Sequence, residues 1–276
     1  MNLFQDTKVA FIGAGAMGSA MIGGLVNKNL IPATHIIASD PNVNQGEKLA
    51  QQYGIRFTQD NLEAARNADI LVLAIKPQVL EKVTKPLRGH MDHVSLVVSI
   101  MASIRLRTIV ESLLTSRIVR SMPNTPAQIG EGMTVWCATP EVPAPQHAQA
   151  AALLGALGDQ LYIEDERLMD MATALNGSGP GFVFLFIEAM IDAGVRMGFT
   201  HRDATRLVLQ TLKGSINYAL ESGQHPAILR NQVTSPGGTT AAGLYEMEKS
   251  NIRTAVAEGI WAAYKRAVEL GGGEAK

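Results

Sequence analysis

The side chains that most often move protons or attack substrates are scattered in this sequence. Six histidines are present, His35, His90, His93, His147, His201 and His225, and none stands at a metal-ligand spacing; His90 and His93 read as a solvated pair in a polar loop. No His-Glu-x-x-His, Cys-x-x-Cys or carboxylate cluster suggests a metal. The single cysteine, Cys137, lies in Thr134-Val135-Trp136-Cys137-Ala138, which reads as a buried strand, so an inert packing role is expected rather than a nucleophilic one. One thiol allows no intrachain disulfide framework and fits a reducing compartment.

The clearest chemistry is anion binding. Gly13-Ala14-Gly15-Ala16-Met17-Gly18 follows the apolar run Val9-Ala10-Phe11-Ile12 and opens a helical stretch. In that context the three glycines read as a dinucleotide loop: Gly13 for a tight turn, Gly15 for close approach of a diphosphate to the backbone, Gly18 for packing of helix on strand. The amides and dipole of the helix N-terminus stabilise the diphosphate. Asp40 closes the next strand about 20 residues on, where a carboxylate takes ribose hydroxyls and favours NAD. Ser39 and Asn42 beside it offer hydrogen bonds to a 2′-phosphate instead, and Asp40 also suits a helix cap ahead of Pro41. Asn61 belongs to the same candidate cofactor set. Ala74-Ile75-Lys76-Pro77 and Ser99-Ile100-Met101-Ala102 end two later strands at the carboxyl edge of the sheet, where ligands bind. Lys76 is placed to hold a ribose or position a nicotinamide, or is simply solvated. The backbone at Ser99 and Met101 would face the nicotinamide.

The elements that must position these residues alternate up to about residue 163. Strands are expected at 8–12, 35–38, 69–74, 94–99, 118–121, 134–138 and 160–163, with helices such as 18–29 and 42–53 between them. The second, third and fourth strands are near-continuous Ile/Val/Leu runs, the pattern of strands covered on both faces. This predicts an α/β domain, a Rossmann-type doubly wound sheet, over residues 1–165. From 166 the strand signals stop, and helices are expected at 168–175, 180–197, 202–222, 227–232, 240–249 and 252–270, with turn residues such as Asn176-Gly177 and Ser235-Pro236-Gly237-Gly238 between them. Val183, Phe184, Phe186, Ile187, Met190 and Ile191 cannot all face one core, so residues 166–276 are expected to form an all-α dimerisation domain, the alternative being an ordinary buried central helix. The tail from Gly271 is expected to fray.

With 276 residues, 46% apolar and 18% charged, the chain suits two domains, and a net charge of −1 argues against nucleic acid or an anionic membrane as partner. The N-terminus lacks the pattern of a signal peptide, and the apolar run from Phe182 to Val195, broken by Glu188 and Asp192, is shorter than the roughly 20 residues a membrane span needs. A cytoplasmic protein is expected.

Three further motifs, Arg120-Ser121-Met122-Pro123-Asn124-Thr125-Pro126, Gly177-Ser178-Gly179-Pro180 and Ser235-Pro236-Gly237-Gly238-Thr239-Thr240, join the glycine loop and the Lys76-Pro77 step. In order and spacing, end to end, the five resemble the pyrroline-5-carboxylate reductase family, with the Ser-Pro-Gly-Gly-Thr-Thr segment the most diagnostic. The resemblance implies a Rossmann domain followed by a helical dimerisation domain, a homodimer that assembles further into rings, and NADPH as donor with NADH accepted. It implies reduction of 1-pyrroline-5-carboxylate to L-proline. It places Pro123 and Asn124 in the cofactor set. It makes Ser235, Gly237, Gly238, Thr239, Thr240 and Ser178 substrate-binding, and Thr173 a catalytic residue beside the ring nitrogen, with Lys76. From the residues alone, the threonine-rich segment reads equally as an N-cap, and Thr173 as a helix threonine bonded to its own backbone. A protonated cyclic imine is already an electrophile, so positioning does most of the work and no strong acid–base group is needed. The sequence departs from the family at Ser99-Ile100-Met101-Ala102-Ser103, where a glycine usually takes the fifth place and Met101 adds bulk, and at Gly181-Phe182, where Ala-Tyr is usual. Two other readings are a β-hydroxyacid dehydrogenase or other imine reductase, with Lys213 as its lysine, and a non-catalytic NAD(P)-sensing protein.

Overall fold

A computed structural model of the chain describes residues 3–274. Its centre is one eight-stranded sheet in the order β3-β2-β1-β4-β5-β6-β7-β8. The strands are β1 (Val9–Ile12), β2 (Ile36–Ser39), β3 (Arg56–Thr58), β4 (Ile70–Leu73), β5 (Leu96–Ser99), β6 (Ile118–Met122), β7 (Gly132–Ala138) and β8 (Gly158–Tyr162). β1, β4 and β5 are buried at every position, as their unalternating apolar sequences require of strands covered on both faces. Val9 stands between Ile36 and Ile70, and Ile12 between Ser39 and Leu73, so the carboxyl ends of β2, β1 and β4 lie side by side.

Helices α1 (Ala16–Asn27), α2 (Val43–Tyr53), α3 (Asn61–Ala65), α4 (Leu80–Thr84), α5 (Leu106–Leu113) and α6 (Ala144–Gly155) connect the strands. Two core clusters result, one containing Phe11, Met21, Ile22, Val72 and Trp136, the other Ile12, Leu71, Leu73, Met101 and Ile109. Strands β1 to β6 run parallel; β7 is antiparallel to β6 because the intervening segment, a short 3₁₀ turn at Thr125–Ile129, is too short for a crossover.

The helical region comprises α7 (Leu168–Ala172), a π turn at Thr173–Gly177, α8 (Gly179–Arg196), α9 (His201–Ser222), α10 (Pro226–Gln232), α11 (Thr239–Lys249) and α12 (Ile252–Leu270). The chain forms two compact units, residues up to Pro180 together with those from Ala263, and Gly181–Ala262. The division falls later than residue 165 because α7 belongs to the sheet, with Met169 1% exposed in its core.

Two expectations are corrected. The helical stretch Leu168–Arg196, 29 residues counted through the π turn, is long and apolar enough by length and composition to cross a membrane, where the sequence suggested too short a run. Its first part is nevertheless tied to the sheet by polar bonds: Arg120 to Asp170, and Asn176 to the carbonyls of Met122 and Met133. The tail does not fray at its start: Gly271 N–H donates to Ala267 O and Gly273 N–H to Val268 O. Ala275 and Lys276 lie outside the described residues.

Candidate active site

The glycine loop leaves β1 and turns into α1. Gly13 has φ +106°, and a Cβ there would lie 2.3 Å from the Ala74 carbonyl oxygen, so only glycine fits. A Cβ on Gly18 would strike the Gly13 carbonyl at 2.3 Å; the close approach it permits is to the loop itself as much as to the strand. Nothing lies within 4 Å of the corresponding position on Gly15, which caps α1 without any side-chain hydrogen bond. The first turn of α1 therefore meets open space without a side chain competing for its amides, the arrangement that binds a diphosphate.

Ala14, at the middle of the loop, is buried and held on both sides. Its N–H donates to Asp40 Oδ2 at 2.8 Å, and its carbonyl accepts from Ser19 Oγ and Gln45 Nε2. The other Asp40 oxygen accepts from Asn42 N–H at 2.8 Å, and the Asn42 side chain caps α2 by accepting from Gln45 N–H. The structure thus gives Asp40 a structural task at the site, and gives Asn42 the cap that Asp40 was one candidate to supply.

A cleft of about 490 Å³ opens along the carboxyl ends of β1, β2 and β4. Gly13, Gly15, Ser39, Asp40, Asn61, Ala74, Ile75 and Lys76 of the expected cofactor set line it, together with Gln59, Val79, Lys82 and Val83, which the sequence did not single out. Ser39 Oγ donates to Asn61 Oδ1 at 2.6 Å, joining the ends of β2 and α3. Ala16, Met17, Gly18 and Pro77 adjoin the cleft in sequence without lining it. A glycine turn, an uncapped helix start, amide donors and two lysines fit an extended anionic dinucleotide. Such domains define the class of NAD(P)-dependent oxidoreductases.

Other expected residues serve elsewhere. The Met101 side chain is 1% exposed and packs in the core, so its bulk stays out of the cleft. Ser99 is buried, its hydroxyl accepting from Met101 N–H and its carbonyl from Ser121 Oγ. Pro123 is buried. Asn124 Nδ2 donates to Asn176 Oδ1 at 2.9 Å while its own Oδ1 accepts from Met133 N–H. Asn176 Nδ2 completes this set through Met122 O and Met133 O, fixing the π turn to β6 and β7. Thr173 begins that turn; its hydroxyl donates to Met169 O at 2.8 Å, and its carbonyl accepts from Ser178 N–H.

Sequence reasoning gave Arg120 no role, yet it organises this region. Its guanidinium, 2% exposed, donates to Glu166 at 2.9 Å and to Asp170 at 3.1 Å, and the same Glu166 oxygen accepts from Leu106 N–H. An arginine directly after the apolar pair Ile118-Val119 of a strand was the available signal. Burial pushes the Cys137 thiol up to about 12, with nearby Glu166 adding to the effect, in keeping with an inert cysteine. Among the described residues no group of three or more His, Cys, Asp or Glu could hold a metal.

In the helical unit, α11 begins at a turn closed by Gly238 N–H to Ser235 O, with Gly237 at φ +71°. Its cap residue is Gly238, with no side-chain hydrogen bond, so neither serine nor threonine acts as the N-cap. Ser235, Thr239 and Thr240 are exposed, and Lys213 is exposed on α9.

Comparison with known proteins extends this class. Residues 166–270 match the family model described as pyrroline-5-carboxylate reductase dimerisation, and residues 8–103 one described as NADP oxidoreductase coenzyme F420-dependent. Pyrroline-5-carboxylate reductases of Synechocystis and Pseudomonas aeruginosa are each 40% identical, over 97% and 95% of this chain and 99% and 96% of theirs. The crystal structure of a Plasmodium falciparum pyrroline carboxylate reductase with NADP bound superposes with a TM-score of 0.88 at 33% identity, covering 96% of this chain and 98% of that one. A Coxiella burnetii pyrroline-5-carboxylate reductase gives 0.90 at 33% identity over 96% of this chain and 99% of that one. The chain belongs to the pyrroline-5-carboxylate reductase family. Like its relatives, it is an NADP-dependent oxidoreductase.

Proposed function

We propose that the protein reduces 1-pyrroline-5-carboxylate to L-proline with NADPH, NADH serving as a poorer donor. The observation that carries this beyond family membership is the start of α11, where amides and the hydroxyls of Ser235, Thr239 and Thr240 face outward without partners among the described residues. A helix N-terminus left open in this way binds a carboxylate, the one permanent charge of the substrate.

The uncapped first turn of α1 holds the diphosphate, while Lys76 at the end of β4 positions the nicotinamide ribose. Bound NADPH supplies a hydride to the imine carbon. Thr173 holds the ring nitrogen: with its O–H given to Met169 O, its oxygen is left as an acceptor. An acceptor suits the N–H of a protonated iminium and gives nothing to a neutral imine, so the residue selects the electrophilic form. Ser178, at the end of the π turn, adjoins this site. The proton is already on the ring nitrogen, so the chain needs no histidine or cysteine to deliver one.

Dinucleotide oxidation followed at 340 nm with pyrroline-5-carboxylate tests the reading. Wild type should turn over with NADPH, and Thr240→Ala should raise the substrate KM roughly tenfold, the worth of one hydrogen bond to a charged group. Tight dinucleotide binding without turnover would send the assignment back to a hydroxyacid dehydrogenase or a sensor. The protein is proposed to act in the cytoplasm as a homodimer, with rings of dimers as the larger assembly.

A further inference from the structure

We propose that Lys82 is the residue that recognises the 2′-phosphate of the dinucleotide, and that Asp40, the carboxylate expected to oppose that phosphate, is instead a strut of the glycine loop. The inference rests on the NADPH reading above and assigns its specificity to a residue on α4. Among the described residues Asp40 is the only acid lining the cleft. Both of its oxygens already accept backbone amides, from Ala14 and Asn42 at 2.8 Å. A carboxylate spent this way has much of its charge stabilised by amide dipoles and points one oxygen into the loop, away from the ligand.

The cations of the cleft are uncommitted. Lys76 and Lys82 both line it, and neither makes an ion pair among the described residues. They serve different stretches of the ligand. Lys76 follows Ala74 and Ile75, which touch Gly13, so it sits beside the diphosphate turn. Lys82 lies six residues further on, next to the apolar wall of Val79 and Val83, a surface for an adenine ring. Ser39 and Asn61 line the same cleft from the end of β2 and the start of α3. Their direct hydrogen bond gives the serine proton to the asparagine oxygen, which leaves the serine hydroxyl an acceptor and the Asn61 amide as the donor. A phosphate dianion at this place therefore needs a cation, and Lys82 is the free one.

The test is equilibrium binding by calorimetry of NADP⁺, NAD⁺ and the fragment 2′-phospho-AMP to wild type, Lys82→Gln, Asp40→Asn and, as a control outside the cleft, Lys85→Gln. Wild type should prefer NADP⁺. Lys82→Gln should weaken NADP⁺ and the fragment about tenfold and leave NAD⁺ unchanged, the loss expected for one charged hydrogen bond. Asp40→Asn should weaken both dinucleotides alike. Equal weakening of NADP⁺ and NAD⁺ in Lys82→Gln, or no change in either, overturns the assignment while leaving the reductase reading intact. A gain in NADP⁺ affinity with Asp40→Asn overturns the strut. Wild type that binds neither dinucleotide sinks the reductase reading and the proposal together.

Discussion

Ser103 follows the strand end at β5 with φ +60°, a left-handed conformation that costs a residue with a Cβ about 1–2 kcal/mol. Its hydroxyl is buried without a hydrogen-bond partner, a further cost. Glycine, the residue usual at this place in the family, removes both, against roughly 0.5–1 kcal/mol of extra chain entropy lost on folding. Ser103→Gly should therefore stabilise the protein by about 1 kcal/mol and raise Tm by about 2–4 °C in calorimetry. A fall in Tm would show that the hydroxyl is satisfied. Cys137 gives a second prediction at this scale. Its thiol stays neutral up to about 12 in the fold, against about 9 when unfolded. The unfolded chain thus loses its proton first as pH rises, so this group's contribution to stability is constant below about 9 and declines from there through about 12. At pH 8 the thiol should not react with a disulfide reagent until denaturant is added; rapid labelling of the native protein would place it at the surface.

At the scale of elements, the π turn at Thr173–Gly177 is tied to the sheet by side-chain bonds. Asn176 gives two hydrogen bonds to strand carbonyls and accepts one from Asn124, and a π turn needs such outside bonds because its own ladder is interrupted. Asn176→Ala removes the bonds to Met122 O and Met133 O and should cost roughly 2–4 kcal/mol in denaturant unfolding. Arg120→Met strands Asp170 and Glu166 and should cost about 3–5 kcal/mol, the penalty for breaking a buried ion pair. Either variant with wild-type stability would show that the turn is held by packing alone. These ties explain what the sequence hides. Strands β1, β4 and β5 are legible because a strand covered on both faces must be apolar throughout, and the glycine loop because turn, helix start and close approach each demand glycine. The edge strand β3 is three residues, mostly half-exposed or exposed, and has no such pattern. Strand direction leaves no trace in side-chain alternation, so the reversal at β7 follows only from the length of its connection. Nor does sequence say where a carboxylate or amide points: Asp40 and Asn124 stand in the right motifs, and the structure turns Asp40 to the loop and Asn124 to the π turn.

For the whole molecule the governing feature is apolar surface on one chain. In α8, Phe184 is 57% and Leu185 66% exposed, and in α9 Leu220 is 76% exposed; Trp261 of α12 is half exposed. Scattered apolar residues on a surface need no explanation, but helices bare over more than one face exceed the patches that monomers tolerate. The match to a dimerisation family over 166–270 gives this surface its occupant, a second copy of the chain. An interface drawing on several long helices falls in the obligate class, about 2,000–5,000 Å², for which folding and association are one equilibrium. Sedimentation should therefore show no monomer over a hundredfold dilution, and Tm should rise with protein concentration. Leu185→Glu puts a charge on the most exposed large apolar residue of α8. It should destabilise the fold by more than the roughly 0.5 kcal/mol typical of a surface substitution, lower Tm, and shift the protein toward monomer or aggregate. A wild-type monomer that is soluble and active at nanomolar concentration would mean that these helices are covered within one chain, and the dimer would have to be abandoned.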